Sequence, residues 1–291
     1  MMVRRTQSSG LARRSAASHL AALLAIARKE WIIFRRYPSW VMAFVIWPLL
    51  YPVGYIFSAR ALGGPHGSGL TVFNRLTGTS DYLSYIVVGS TMYMWLNFTL
   101  WDVGLHLRNE QMRGTLESNW LCPVWRISIM LGSSITKMLI GLFVLAVTFV
   151  EFRLVFGVSV VRGNPGLIAL ILLLVSASIY GIGLAFGSLV LRFQEANALV
   201  FLVRGLFMGF CGITYPLQIL PSWMQGVAAV LPLTYAIHSI RAVTLSGASL
   251  AQIAPDLQWL AGFALVLPML GYLAFAATER RARRTGSLGH Y

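Results

Sequence analysis

The chain has 291 residues, of which 11% are charged and 57% belong to the apolar set, with a formal net charge of +14 and a mean hydropathy of +0.71. Soluble domains carry roughly 25% charged residues, because each needs a polar skin over its core. This composition therefore excludes a soluble fold and predicts an all-α integral membrane protein.

In chain order, residues 1–18 read as a disordered basic tail. The run ARRSAASHLAALLAIA is not a cleaved secretory signal, since its apolar part is short and leads into RKEW rather than a small-residue cleavage site. Residues 19–37 predict an amphipathic helix at the membrane surface. Leu20, Leu23, Leu24, Ala27, Trp31 and Phe34 follow helical spacing, while Lys29, Glu30, Arg35 and Arg36 supply polar faces.

Residues 38–278 read as a transmembrane domain. A crossing helix needs about 20 apolar residues to span a hydrocarbon core of ~30 Å. Six segments meet that measure: Ser39–Ala59, Tyr82–Trp101, Ile129–Val150, Gly166–Leu191, Ala196–Thr214 and Leu257–Thr278. Pro48 and Pro52 predict a kink in the first. Residues 279–291 form a second basic tail.

Two non-spanning stretches stand out. In residues 105–126, the charged run RNEQMRGTLESNWLCP interrupts two apolar ones. Gly114 permits a turn, Thr115 can cap a helix, Glu117 suits a first turn, and Pro123 ends it. The pattern predicts a two-turn helix over Leu116–Cys122 that could plug a groove on a soluble partner. Residues 215–245 are apolar but cut by Pro216, Pro221 and Pro232. Their pieces are too short to cross, which predicts re-entrant or interfacial elements.

Sixteen lysines and arginines fall on one set of loops and tails and four on the other. The positive-inside bias then predicts both termini in the cytoplasm. The net charge is an orientation signal rather than a sign of nucleic-acid binding, which calls for a basic face on a soluble domain.

Motifs for chemistry are missing. LGSSITKM around Lys137 lacks the second glycine and the Ser/Thr of a phosphate loop. Five histidines and two cysteines show no metal-ligand spacing. No internal repeat and no midplane carboxylate support a secondary carrier, and no carboxylate or histidine cluster supports an intramembrane lipid-modifying enzyme. Lys137 and Arg204 each lie inside a span, where snorkelling or pairing competes with a place in a substrate path.

Three stretches together resemble the permease subunit of ABC-type-2 exporters, the family of drug-resistance, lipid and polysaccharide export permeases. ARKEWIIFRRYPSW is similar to the family's connecting helix. NEQMRGTLESNWLCPV is similar to its E-x-x-x-GTLE-x-L-x-x-P coupling segment, with Asn119-Trp120 in place of the usual leucine pair. YPLQILPSWMQGVAAVLPLTYAIHSIRAV resembles the signature P-x-x-x-LP-x-W-x-x-x-A-x-x-x-PLTYA-x-x-x-x-R before the last helix.

The resemblance implies a six-helix subunit that pairs with a second permease copy or paralogue and with an ABC ATPase subunit in a bacterial-type inner membrane. ATP and Mg would be bound by the ATPase, leaving this chain with no cofactor and no enzymatic activity of its own. Glu110, Gly114, Thr115, Leu116, Glu117 and Pro123 would form the coupling segment, with Arg28, Lys29 and Glu30 on the helix packed against it. Pro216, Leu220, Pro221, Trp223, Pro232, Leu233 and Tyr235 would form an outer gate. Tyr51, Tyr55, Tyr93, Trp95, Phe207 and Phe210 are candidates for a substrate path, where rings could stack on a flat or sugar-like ligand, or simply pack the core. An amphipathic drug-like or lipid-like substrate is expected, with a polysaccharide or glycolipid as the alternative.

Overall fold

A computed structural model of the chain describes residues 16–63, 70–104, 106–115, 118, 126–157, 163–190 and 196–285. These residues form helices and connecting turns, with no strand among them. In order they are α1 (Ala16–Arg36), α2 (Pro38–Gly63), α3 (Thr71–Thr77), α4 (Tyr82–Gly104), α5 (His106–Met112), α6 (Arg126–Phe156), α7 (Pro165–Val190), α8 (Ala196–Phe210), α9 (Ser222–Ala229), α10 (Pro232–Ser246) and α11 (Leu250–Thr285).

Local chemistry sets several of these boundaries. Pro38, Pro165 and Pro232 open α2, α7 and α10, positions where a missing N–H costs nothing. Gly247 closes α10 in the left-handed conformation, its N–H neighbourhood tied back by the Ala248 N–H to the Ala242 carbonyl at 3.0 Å. α2 runs unbroken through Pro48 and Pro52. α3 was not legible in the sequence, and α11 begins seven residues before the predicted last span.

α4 is the central element, touching α2, α6, α7, α8 and α10. Its Ser84, Ser90, Thr91, Asn97 and Thr99 are all buried. Thr91, Asn97 and Thr99 donate to the carbonyls of Val87, Tyr93 and Trp95, one turn back, at 2.7–3.0 Å. The Trp95 indole N–H donates to Ser176 Oγ of α7 at 3.1 Å. A helix enclosed by protein does not need a uniformly apolar surface, although Ser90 Oγ and Asn97 Oδ1 are buried without a partner.

α7 and α11 make the most extensive pairing, and Gly181 and Gly271 allow it. A Cβ on Gly181 would stand 2.3 Å from the Leu267 carbonyl carbon, and one on Gly271 would stand 2.3 Å from the Gly181 oxygen. α1 lies along α6, where the Thr136 hydroxyl donates to the Ala27 carbonyl at 3.1 Å.

The expected count of six spans is only partly met. Among the described residues, four helices are long and apolar enough to cross a membrane: Val41–Ala61, Gly132–Phe156, Pro165–Ser188 and Leu250–Thr278. α9 and α10 meet at a bend of 91° and supply a fifth only if the pair counts as one broken span. α4 has the length, but its hydroxyl, amide and phenol side chains lower its hydropathy. α8 is apolar but holds only 15 residues, about 22 Å of helix against a core of ~30 Å.

The four long helices keep large apolar side chains on the outside. Trp47 and Phe57 of α2 are more than half exposed, as are Leu139 and Leu154 of α6 and Leu265 and Met269 of α11. Such belts require hydrocarbon or another apolar chain around them.

Candidate functional site

Where α4 ends, α5 turns Glu110 onto α1. Lys29 Nζ donates to Glu110 Oε1 at 2.8 Å, and the Thr115 hydroxyl donates to Oε2 at 2.7 Å. Lys29 lies 3.5 Å from Glu30, and Lys137 of α6 reaches the other Glu30 oxygen at 3.9 Å. Both carboxylates are buried. Stripped of water, they would be costly without partners, so the ion pairs tie α1, α5 and α6 into one joint.

Gly114 adopts φ +70°, a left-handed turn that reverses the chain after α5. The Thr115 N–H and hydroxyl both return to the Glu110 carbonyl, at 3.0 and 3.2 Å. The sequence pattern cast Thr115 as the cap of the following helix. Its hydroxyl closes α5 and holds the Glu110 carboxylate, while the helix it was expected to cap lies largely outside the described residues.

Burial acts to raise the Glu110 pKa, but hydrogen bonds from Lys29 and Thr115 and the Lys29 charge outweigh it, holding the carboxyl below its ordinary 4.5. His106 responds the other way. Burial pushes its pKa below the ordinary 6.5, although Glu110 and Glu30 favour its cation. Near neutral pH the joint therefore holds a neutral His106 imidazole beside an ionised Glu110.

Glu30, His106 and Glu110 each offer a ligand atom within 4.8 Å of the others. Lys29 and Lys137 already balance the two carboxylates, so the set closes as an ion-pair network without a metal.

At the other end of α4, Arg241 of α10 is buried. Its guanidinium donates to the Tyr85 carbonyl at 3.0 and 3.2 Å, to the Gly212 carbonyl at 2.8 Å and to the Ile213 carbonyl. It also lies over the Tyr85 ring, 3.4 Å from the centroid. One side chain thus staples α10 to α4 and to the turn after α8. Gly89 leaves room for it, since a Cβ there would stand 2.0 Å from the Ile213 oxygen. Beside this staple is a cavity of about 180 Å³ lined by Thr77, Tyr85, Thr234, His238 and Arg241, among others. The α9–α10 bend is held by the Thr234 and Tyr235 hydroxyls, which donate to the Ala228 and Ala229 carbonyls, each at 2.8 Å.

A third cluster lies where α2, α4 and α8 meet. The Tyr51 ring lies tilted against its neighbours, 5.7 Å from Tyr55 and 5.5 Å from Tyr93, centroid to centroid. The Tyr51 and Tyr55 hydroxyls approach the Met208 sulfur at 3.7 and 3.9 Å. The Tyr93 hydroxyl donates to the Arg204 carbonyl at 3.3 Å.

The sequence that builds this ion-paired joint, the prolyl hairpin and the apolar helices between them was compared with known families. The profile of the ABC-2 family transporter proteins covers residues 42–273. The chain belongs to that family. Similar proteins include ycf38 of Porphyra purpurea, provisionally named a transport permease, which is 28% identical over 218 residues, 75% of this chain and 72% of the relative. The probable doxorubicin resistance ABC transporter permease protein DrrC of Mycobacterium tuberculosis is 26% identical over 235 residues, 78% of each chain. The probable multidrug ABC transporter permease YbhR of Escherichia coli K12 is 24% identical over 226 residues, 75% of this chain but 58% of the relative. The protein is an ABC-2-type permease and a multi-pass membrane protein.

The predicted site residues of this ABC-2 permease fall into place unevenly. Lys29, Glu30, Glu110 and Thr115 come together, while Arg28 points to the exposed face. Leu116, Glu117 and Pro123, with most of the predicted two-turn helix, lie outside the described residues. In the hairpin, Pro216, Pro232 and Leu233 are buried, Leu220 and Tyr235 are half-buried, and Pro221 and Trp223 are exposed.

The six aromatic residues do not share one surface. Tyr51, Tyr55 and Tyr93 gather, whereas Trp95 faces α7, Phe207 is in the core, and Phe210 packs 6.0 Å from Trp223. Sequence reasoning missed His106 and Arg241. Arg241 closes the PLTYA-x-x-x-x-R signature, the one signal in the sequence that could have marked it.

Proposed function

We propose that this ABC-2 permease forms half of the translocation pathway of an ATP-driven exporter, with hydrolysis on a separate ATPase subunit. The observation that carries the reading is the Lys29–Glu110 contact at 2.8 Å. It ties the amphipathic α1 to the start of the segment bearing the GTLE pattern, and α6 joins through Lys137 and Glu30. A push on that segment would reach α1 and α6 together through ion pairs rather than through a loop.

In this reading α4 and α8 cross along with the four long helices, giving six spans. α9 and α10 form a re-entrant hairpin at the exit, and both termini face the cytoplasm. Similarity to DrrC supports an amphipathic, drug-like or lipid-like substrate, and the exposed apolar belts support a second permease alongside.

Co-expression with the candidate ATPase, mild-detergent purification and ATP hydrolysis test this. A Leu116→Ala, Glu117→Ala double change is expected to lower co-purification or turnover severalfold. A chain that purifies alone and is indifferent to the change overturns the reading.

A further inference from the structure

Arg204 sits eight residues into α8, roughly 12 Å along the helix. A cation at such a depth is costly in hydrocarbon and calls for a partner. Lys137 has one in Glu30. Arg204 has none: among the described residues no carboxylate pairs with it, and its Nε is buried without a hydrogen-bond acceptor. Its guanidinium lies 5.7 Å from the Trp101 ring centroid and 5.4 Å from that of Phe201. Rings offer a cation attraction but no hydrogen-bond acceptor in the plane of the fork, which leaves N–H donors for a ligand.

Tyr51 and Tyr55 spend their hydroxyls on the Met208 sulfur, one helical turn from Arg204, and a thioether is a weak acceptor. The flank of α8 is open, since a Cβ on Gly205 would meet nothing within 4 Å, and Phe201 and Leu202 are exposed. A guanidinium prefers oxyanions, which it can grip through two parallel hydrogen bonds.

We propose that Arg204 binds the anionic headgroup, phosphate or carboxylate, of an amphiphile whose apolar part lies along the exposed faces of α2 and α8. That amphiphile is either a phospholipid of the bilayer or the transported compound, and the second source rests on the export reading above.

The test uses the full chain in phosphatidylcholine nanodiscs, with radiolabelled dodecyl phosphate as probe and empty discs as background. Saturable binding is expected, with dodecyltrimethylammonium failing to compete. Arg204→Gln should weaken binding by about tenfold or more, and Arg204→Lys by less, because a lysine keeps the charge and loses the fork. Equal competition by the ammonium compound overturns the proposal on the wild-type chain alone, even if Arg204→Gln does not fold. Unchanged binding by a folded Arg204→Gln overturns it as well.

Discs carrying phosphatidic acid then separate the sources. Loss of probe binding assigns the site to bilayer lipid, and retention assigns it to a free amphiphile. No ATPase enters the assay, so a failure of ATP coupling removes the export reading without touching this result, and the reverse also holds.

Discussion

Arg241 and Glu110 show how much one side chain can organise in a protein of few charges. Arg241 serves three buried carbonyls from two separate segments. Arg241→Met would strand them, and about 3–5 kcal/mol of stability should be lost, read by thermal unfolding in detergent. Arg241→Lys should recover only a part, having no fork to span three acceptors.

The α1–α5–α6 joint should be sensitive to acid. His106 has its folded pKa below 6.5, so the unfolded or opened form takes up a proton first and stability falls as the pH drops below about 6.5. Glu110 has its folded pKa below 4.5, so its contribution, complete at neutral pH, is lost only as the pH falls further. Hydrogen exchange of α1 should therefore rise in two stages on acidification, and His106→Leu should remove the upper one.

At the scale of elements, contact between helices is governed by where a side chain is missing. Gly181→Ala would place a methyl 2.3 Å from the Leu267–Pro268 peptide, and Gly89→Ala would drive one into Arg241. Each should cost about 1–3 kcal/mol. Gly205→Ala, facing open space, should be neutral or slightly stabilising, as expected for alanine in a helix. Melting temperatures of the three variants check the ranking.

The sequence could not rank these glycines. Neighbouring backbone comes nearest to an added Cβ at Gly89, 2.0 Å from the Ile213 oxygen, and stands at 2.3 Å at Gly163, Gly181 and Gly271. Periodicity identifies a face, not the point at which another helix crosses it. Hydropathy likewise found the four long helices, whereas the hydroxyls and amides of α4 are tolerated because protein surrounds it. The acceptor of the Thr115 hydroxyl was not legible either, since its identity depends on a turn that only the fold supplies.

For the whole molecule, composition alone fixed the solvent, because 11% charge cannot clothe a soluble domain. The three motif stretches were enough to place the family, and the structure adds how they connect. The hairpin is stapled to α4 by Arg241, and α4 leads into α5 and its ion-paired contact with α1. The central claim is that this joint carries force between the permease and its ATPase.

A charge-reversal cycle tests that claim most directly: ATP hydrolysis by the co-purified complex for wild type, Lys29→Glu, Glu110→Lys and the double exchange. Each single change should cost about 1–2 kcal/mol at the joint and lower substrate-stimulated hydrolysis severalfold, and the double exchange should restore much of it. Stimulated hydrolysis that is unchanged in both single variants of a stably assembled complex would contradict the account.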